Sequence, residues 1–178
     1  IFELLDTEPE IVDAANAREL PRVAGEVRFD GVCHSYVPGT EVLQDIDLCI
    51  EPGEAVALVG ETGAGKSTIT ALIARFYEPT SGRVTIDGID VRDVTMASLA
   101  RQVSLVLQDP FLFSASVGEN IRYGRLDASE TEIVHAAKAV GAHDFILRLP
   151  YGYDTVLHER GGNLSVGQRQ LVSFARAV

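Results

Sequence analysis

Ala55-Val56-Ala57-Leu58-Val59 runs directly into Gly60-Glu61-Thr62-Gly63-Ala64-Gly65-Lys66-Ser67, and a helical pattern follows. The first five residues are nearly all apolar, as suits a strand buried on both faces of a parallel sheet. The next eight match G-x-x-x-x-G-K-[ST], a loop that cradles phosphate when a strand precedes it and a helix follows. From Lys66 to Tyr77 the apolar residues Ile69, Leu72, Ile73 and Phe76 fall at i, i+3, i+4 and i+7, which predicts an amphipathic helix ending before Pro79 and Gly82.

The chemistry explains the residue types. Successive backbone N–H groups must turn inward around phosphate oxygens, and glycine permits both that backbone shape and the close approach. The helix N-terminus adds partial positive charge behind the phosphates. Lys66 supplies a full charge to the β and γ phosphates, and Ser67 is the natural ligand for Mg²⁺. The expected ATP contacts are Gly60, Glu61, Thr62, Gly63, Ala64, Gly65, Lys66, Ser67 and Thr68.

Outward from this loop the chain reads as an α/β domain. Val27, Phe29 and Val32 belong to half-buried strands, Pro38-Gly39 to a turn, and Val42–Ile50 to another strand. Arg83–Ile86 and Asp87-Gly88 predict a strand and a tight turn, and Val103–Leu107 a second buried strand. Residues 110–165 read as a helical subdomain. Within it Ser129-Glu130-Thr131-Glu132 is a capping box, followed by one helix carrying Ile133, Ala136, Ala137, Val140 and Phe145 up to Pro150. Ser165–Val178 predicts a last helix with Leu171, Phe174, Ala175 and Val178 on one face. Residues 1–25 open on the amphipathic Ile1-Phe2-Glu3-Leu4-Leu5 and continue as an acidic, proline-containing linker.

The chain has 178 residues, 46% of them hydrophobic, and a net charge of −11 from 15 basic and 26 acidic side chains. That length favours one domain. The acidity argues against nucleic acid as a partner. Cys33 and Cys49 lack metal-ligand spacing and read as small core residues of a reducing compartment. His34, His135, His143 and His158 show no metal spacing either. No signal peptide or membrane-spanning stretch is legible. The first residue is not Met, so a fragment is expected.

Leu164-Ser165-Val166-Gly167-Gln168 supplies a second anion site. Ser165 suits an N-cap, and its hydroxyl and the first-turn N–H groups would face a phosphate. One nucleotide needs only one such site per chain, so the second makes sense closing over ATP held by another subunit.

With these motifs in order, the sequence closely resembles the nucleotide-binding domain of ABC transporters. Leu164–Gln168 resembles the LSGGQ signature, with Val166 replacing the first Gly while Ser165, Gly167 and Gln168 are kept. Gln108 looks like the Q-loop glutamine, which the resemblance assigns to Mg²⁺ and the attacking water. Tyr36 looks like the A-loop aromatic that stacks on adenine. Phe111-Leu112-Phe113-Ser114 with Glu119-Asn120-Ile121, and Tyr153-Asp154-Thr155 with Glu159-Arg160-Gly161, are similar to the exporter branch. The resemblance implies a phosphate-loop NTPase-like sheet core with an N-terminal antiparallel β subdomain and the inserted helical subdomain. It further implies residues 1–25 as the link from a transmembrane domain, residues 26–178 as an incomplete ATP-binding domain, a second nucleotide-binding domain as partner, and the cytoplasmic face of the cell membrane as location.

The family's Walker B acids, D-loop and switch histidine would follow the signature helix, and Val178 comes before them. Weak ATP binding and little hydrolysis are therefore expected of this stretch alone, together with marginal stability or association. Two other readings compete. One is a nucleotide-binding module that does not hydrolyse; the other is a soluble ABC ATPase outside transport, against which the exporter-like linker speaks.

Overall fold

The computed structural model describes residues 9–178; the piece Ile1–Leu5 lies outside them. The chain divides into two units, residues 1–103 and 104–178, each with its own core.

The first unit is built on an antiparallel sheet of order β2-β1-β3-β4. Strands β1 (Val27–Val37) and β2 (Thr40–Ile50) form a hairpin about Pro38-Gly39, where Gly39 has φ 85°. β3 (Ser81–Ile86) turns at Asp87-Gly88 into the short β4 (Ile89–Asp90), and both turn residues have positive φ, as a tight hairpin of this hand requires. Phe29, Val32, Leu43, Val84 and Ile86 point from the sheet into a core shared with Leu72, Val91, Val94 and Leu99.

Helix α1 (Lys66–Ile73) carries Leu72 into that core with no exposed surface, while Ile69 and Ile73 pack at its edge. It stops one turn earlier than the apolar period predicts. Arg75 takes the left-handed conformation (φ 53°), the Phe76 N–H reaches the Ala71 carbonyl at 2.8 Å and the Arg75 N–H the Leu72 carbonyl at 3.1 Å. This is a Schellman C-cap with arginine where glycine is usual. Buried bonds hold it there: the Arg75 guanidinium donates to the carbonyls of Val94 (2.9 Å) and Val12 (3.2 Å) and to Glu78 Oε1. Phe76 is consequently 60% exposed and leaves the stripe.

Residues 9–25 run as a strap along this unit. Asp13 accepts the Met96 N–H, Arg18 bridges Val94 in parallel, and the Leu20 N–H donates to Ser98 Oγ. The Asp87 carboxylate accepts three successive N–H groups, from Ala24, Gly25 and Glu26. Burial pushes its pKa up, but those three donors outweigh it and hold the carboxyl below its ordinary value.

Two expected strands are not paired. Ala55–Val59 and Val103–Leu107 join no ladder among the described residues, and Val56, Leu58, Val59, Leu105 and Leu107 are exposed. A parallel strand exists only through its neighbours' hydrogen bonds, and none flanks either segment here. Cys49 is also exposed and Cys33 half-buried, so the cysteines are not core residues: each lies on the partly solvated face of a strand.

The second unit is helical, with α2 (Met96–Ala100) preceding it in the first. It comprises α3 (Val117–Arg122), α4 (Glu130–Ala139), α5 (His143–Leu147) and α6 (Val166–Ala177) around Leu112, Ile121, Ile133, Phe145, Ile146, Leu157 and Val172. The single helix expected up to Pro150 is two. Gly141 (φ 73°) ends α4 with a second Schellman pair, Gly141 N–H to Lys138 O (3.1 Å) and Ala142 N–H to Ala137 O (2.7 Å). In α6 the buried face is Val172 and Ala175; Phe174 and Val178 are exposed, so the expected stripe is rotated. No helix among the described residues is long and apolar enough to cross a membrane.

Candidate nucleotide site

The loop before α1 has the geometry of an anion cradle. Gly63 and Gly65 adopt φ 89° and 82°, a region open to glycine without strain. A Cβ at Gly65 would also lie 2.6 Å from Leu43 Cδ2 and 3.3 Å from the Val42 carbonyl, so β2 leaves no room for one. Within the loop the Ala64 N–H turns back to the Glu61 carbonyl at 3.2 Å. Gly65 is the N-cap of α1 and has no side chain to cap with, so the first-turn N–H groups of Lys66, Ser67 and Thr68 keep no internal acceptor. The Lys66 ammonium lies across the loop, donating to the carbonyls of Gly60 (2.8 Å) and Glu61 (2.6 Å). An ammonium has three N–H groups, so one remains for an incoming anion. Ser67 is exposed beside it, and its carbonyl accepts the Thr70 hydroxyl.

Tyr36 belongs to the same unit and touches the same helix. Its hydroxyl lies 2.9 Å from Thr68 Oγ1, and Thr68 is 3% exposed on the first turn of α1. Tyr36 itself is 49% exposed, leaving ring surface open. Around it stand His34 and Tyr77, with ring centroids at 4.8 and 4.9 Å.

In the helical unit, Gln108 lies exposed on a bend. Ser165 is the N-cap of α6 within a full capping box: its Oγ accepts the Gln168 N–H at 3.2 Å and Gln168 Oε1 accepts the Ser165 N–H at 2.9 Å. That leaves the N–H groups of Val166 and Gly167 at the helix start, with Val166 61% exposed and open space where a Gly167 side chain would stand. The structure thus brings Tyr36 together with Gly60–Thr68 in one unit, while Gln108 and Ser165–Gln168 belong to the other.

The family model described as ABC transporter matches residues 43–178. The chain belongs to the ABC transporter family. It is 48% identical over 178 residues to an ATP-dependent lipid A-core flippase of Syntrophus aciditrophicus, covering all of this chain and 30% of that protein. It is 46% identical over 177 residues to a fatty acid ABC transporter ATP-binding/permease protein of Mycobacterium bovis, covering 99% of this chain and 28% of that one. Among solved structures it is similar to a bacterial Atm1-family ABC exporter with ATP bound, at 45% identity and a TM-score of 0.93, covering 99% of this chain and 31% of that one. The chain therefore spans about 30% of the length of the curated relatives it matches.

Within this ABC transporter fold two residues beside Tyr36, and a third in the helical unit, carry no signal in the sequence motifs. His34 and Tyr77 flank Tyr36; strand alternation places His34 and Tyr36 on one face of β1, and that spacing is the clue that could have found His34. The third, Arg176 near the end of α6, donates to the carbonyls of Phe111 (2.9 Å) and Asn120 (3.0 Å) and to Asn120 Oδ1, with its guanidinium 5.5 Å from the ring centres of Phe113 and Tyr123. Burial lowers its pKa; it is satisfied by carbonyl oxygens and aromatic faces alone.

Proposed function

We propose that this chain is the ATP-binding module of an ABC exporter and that MgATP occupies the loop Gly60–Thr68. Lys66 and the first-turn N–H groups of α1 hold the β and γ phosphates, Ser67 offers its hydroxyl to Mg²⁺, and Tyr36 receives the adenine. Gln108 contributes to Mg²⁺ and the attacking water. The observation that carries this reading is the glycine-shaped loop with its uncapped helix start and the Lys66 ammonium folded over it.

In the working assembly, Ser165 and Gly167 of a second module close over the γ-phosphate, and closure drives a transmembrane domain that residues 1–25 join to this one, residues 26–178 being the nucleotide-binding domain. The modules act at the cytoplasmic face of the membrane. The relatives named as flippase and as ATP-binding/permease protein support this arrangement. Residues 1–178 hold no apolar run ending in paired acids after the signature, so this stretch alone binds ATP weakly and turns it over little, since phosphoryl transfer needs metal support and water positioning.

The test is calorimetric titration with MgATP. Lys66→Ala removes the only full positive charge on the loop and is expected to weaken binding by at least about tenfold. Unchanged affinity in that variant would falsify the assignment.

A further inference from the structure

We propose that His34 and Tyr77 are positioning residues that lock the Tyr36 ring in the orientation in which its open surface receives a nucleotide base. The inference rests on Tyr36 being the base platform.

The restraint begins with a proton. His34 Nδ1 lies 3.0 Å from the Glu78 carbonyl oxygen, and a carbonyl can only accept, so Nδ1 carries the hydrogen. The other ring nitrogen, Nε2, is buried without a hydrogen-bond partner among the described residues. One bond therefore sets the plane of an imidazole that is 4% exposed. That plane stands at 88° to the Tyr36 ring with centroids 4.8 Å apart, an edge-to-face contact. Tyr77 meets Tyr36 in the same manner, at 83° and 4.9 Å, and closes the trio against His34 at 5.6 Å. The third restraint on the Tyr36 ring is its hydroxyl bond to the buried Thr68 at 2.9 Å.

Tyr36 is thus half exposed yet held by two aromatic edges and a hydrogen bond to the helix that bears the phosphate loop. A ring already fixed loses little rotamer freedom when a base stacks on it, so the restraint acts on affinity for the base and not on affinity for the phosphates. A merely structural trio would affect both ligand parts alike, through stability.

The experiment measures dissociation constants for MgATP and for inorganic tripolyphosphate, which has no base, on the chain and four variants. Tyr36→Ala should weaken ATP about tenfold with tripolyphosphate unchanged, the usual size of one base–aromatic stack. His34→Leu and Tyr77→Leu keep bulk but lose the flat edge, and each should weaken ATP about fivefold, again with tripolyphosphate unchanged. His34→Phe restores the ring but not the Nδ1–H bond to Glu78 that sets its plane, so it should recover only part of the loss, leaving ATP about two- to threefold weaker than the parent. If Tyr36→Ala shifts the ratio of the two constants while His34→Leu and Tyr77→Leu do not, this proposal fails alone. Equal weakening of both ligands in His34→Leu, without rescue by His34→Phe, overturns it as well. An unchanged ratio in Tyr36→Ala removes the platform and the proposal with it.

Discussion

Glu132 shows how much one side chain settles at the start of a helix. Its carboxylate accepts the Ser129 N–H at 2.9 Å and the Ser129 hydroxyl at 2.7 Å, and it pairs with Arg125. The Ser129 backbone bond first, then the hydroxyl and Arg125, hold its pKa at about 2 against the ordinary 4.5. A depressed carboxylate stabilises the folded state fully above the ordinary value, and that stability is lost as pH falls from 4.5 toward 2. Glu119 repeats the arrangement with Ser116 and is also lowered, chiefly by the Ser116 N–H. Thermal melts of Glu132→Gln should show lower stability than the parent at pH 7 and a difference that shrinks from pH 4.5 downward and is mostly gone near pH 2, where about half of the parent's carboxylates are protonated. Parallel curves across that range would contradict the assignment. Such caps are legible in sequence because donor and acceptor lie three residues apart: the S-x-x-E at Ser129 is plain, and Ser116 and Ser165 obey the same rule. Arg75 is not legible, because its left-handed backbone depends on oxygens from Val12 and Val94, far away along the chain.

Between elements, the difference between helices and strands explains which expectations held. A helix closes its hydrogen bonds within four residues, so α1, α4 and α6 begin where the sequence says they should. Apolar runs such as Ala55–Val59 report a preference for burial but not the neighbour that would supply it, and without that neighbour the segment stays unpaired. The hairpin strands β1 and β2 succeed because their partner is two turn residues away. Helix ends were harder, since a glycine can continue or stop a helix. Gly141 stops α4, with φ 73° and open space where a Cβ would stand. Gly141→Ala is therefore a test of backbone conformation alone, expected to cost about 1 kcal/mol in denaturant unfolding of the helical unit. Gly124 differs: a Cβ there would run into the Arg176 carbonyl of α6, and Gly124→Ala should cost about 2 kcal/mol or more by the same measurement.

At the scale of the whole molecule there are two hydrophobic cores, one under a sheet with α1 and α2 and one within a bundle of α3 to α6. Exposed apolar chain includes residues 55–59, Leu105 and Leu107, with Val59 93% and Leu107 57% exposed. Exposed apolar segments without strand partners favour association. Val59→Lys combined with Leu107→Lys should lower the apparent mass in light scattering at equal concentration; an unchanged mass would mean that other surfaces cause any association. The strap at residues 9–25 adds a mechanical side to this architecture. Val12 and Asp13 are tied to the guanidinium of Arg75, and Arg75 ends the helix whose first turn is the proposed phosphate-binding end. A tug on the chain at Val12 is therefore delivered to the tail of that helix, so tension from upstream and occupancy of the triphosphate cradle act on opposite ends of one eight-residue rod.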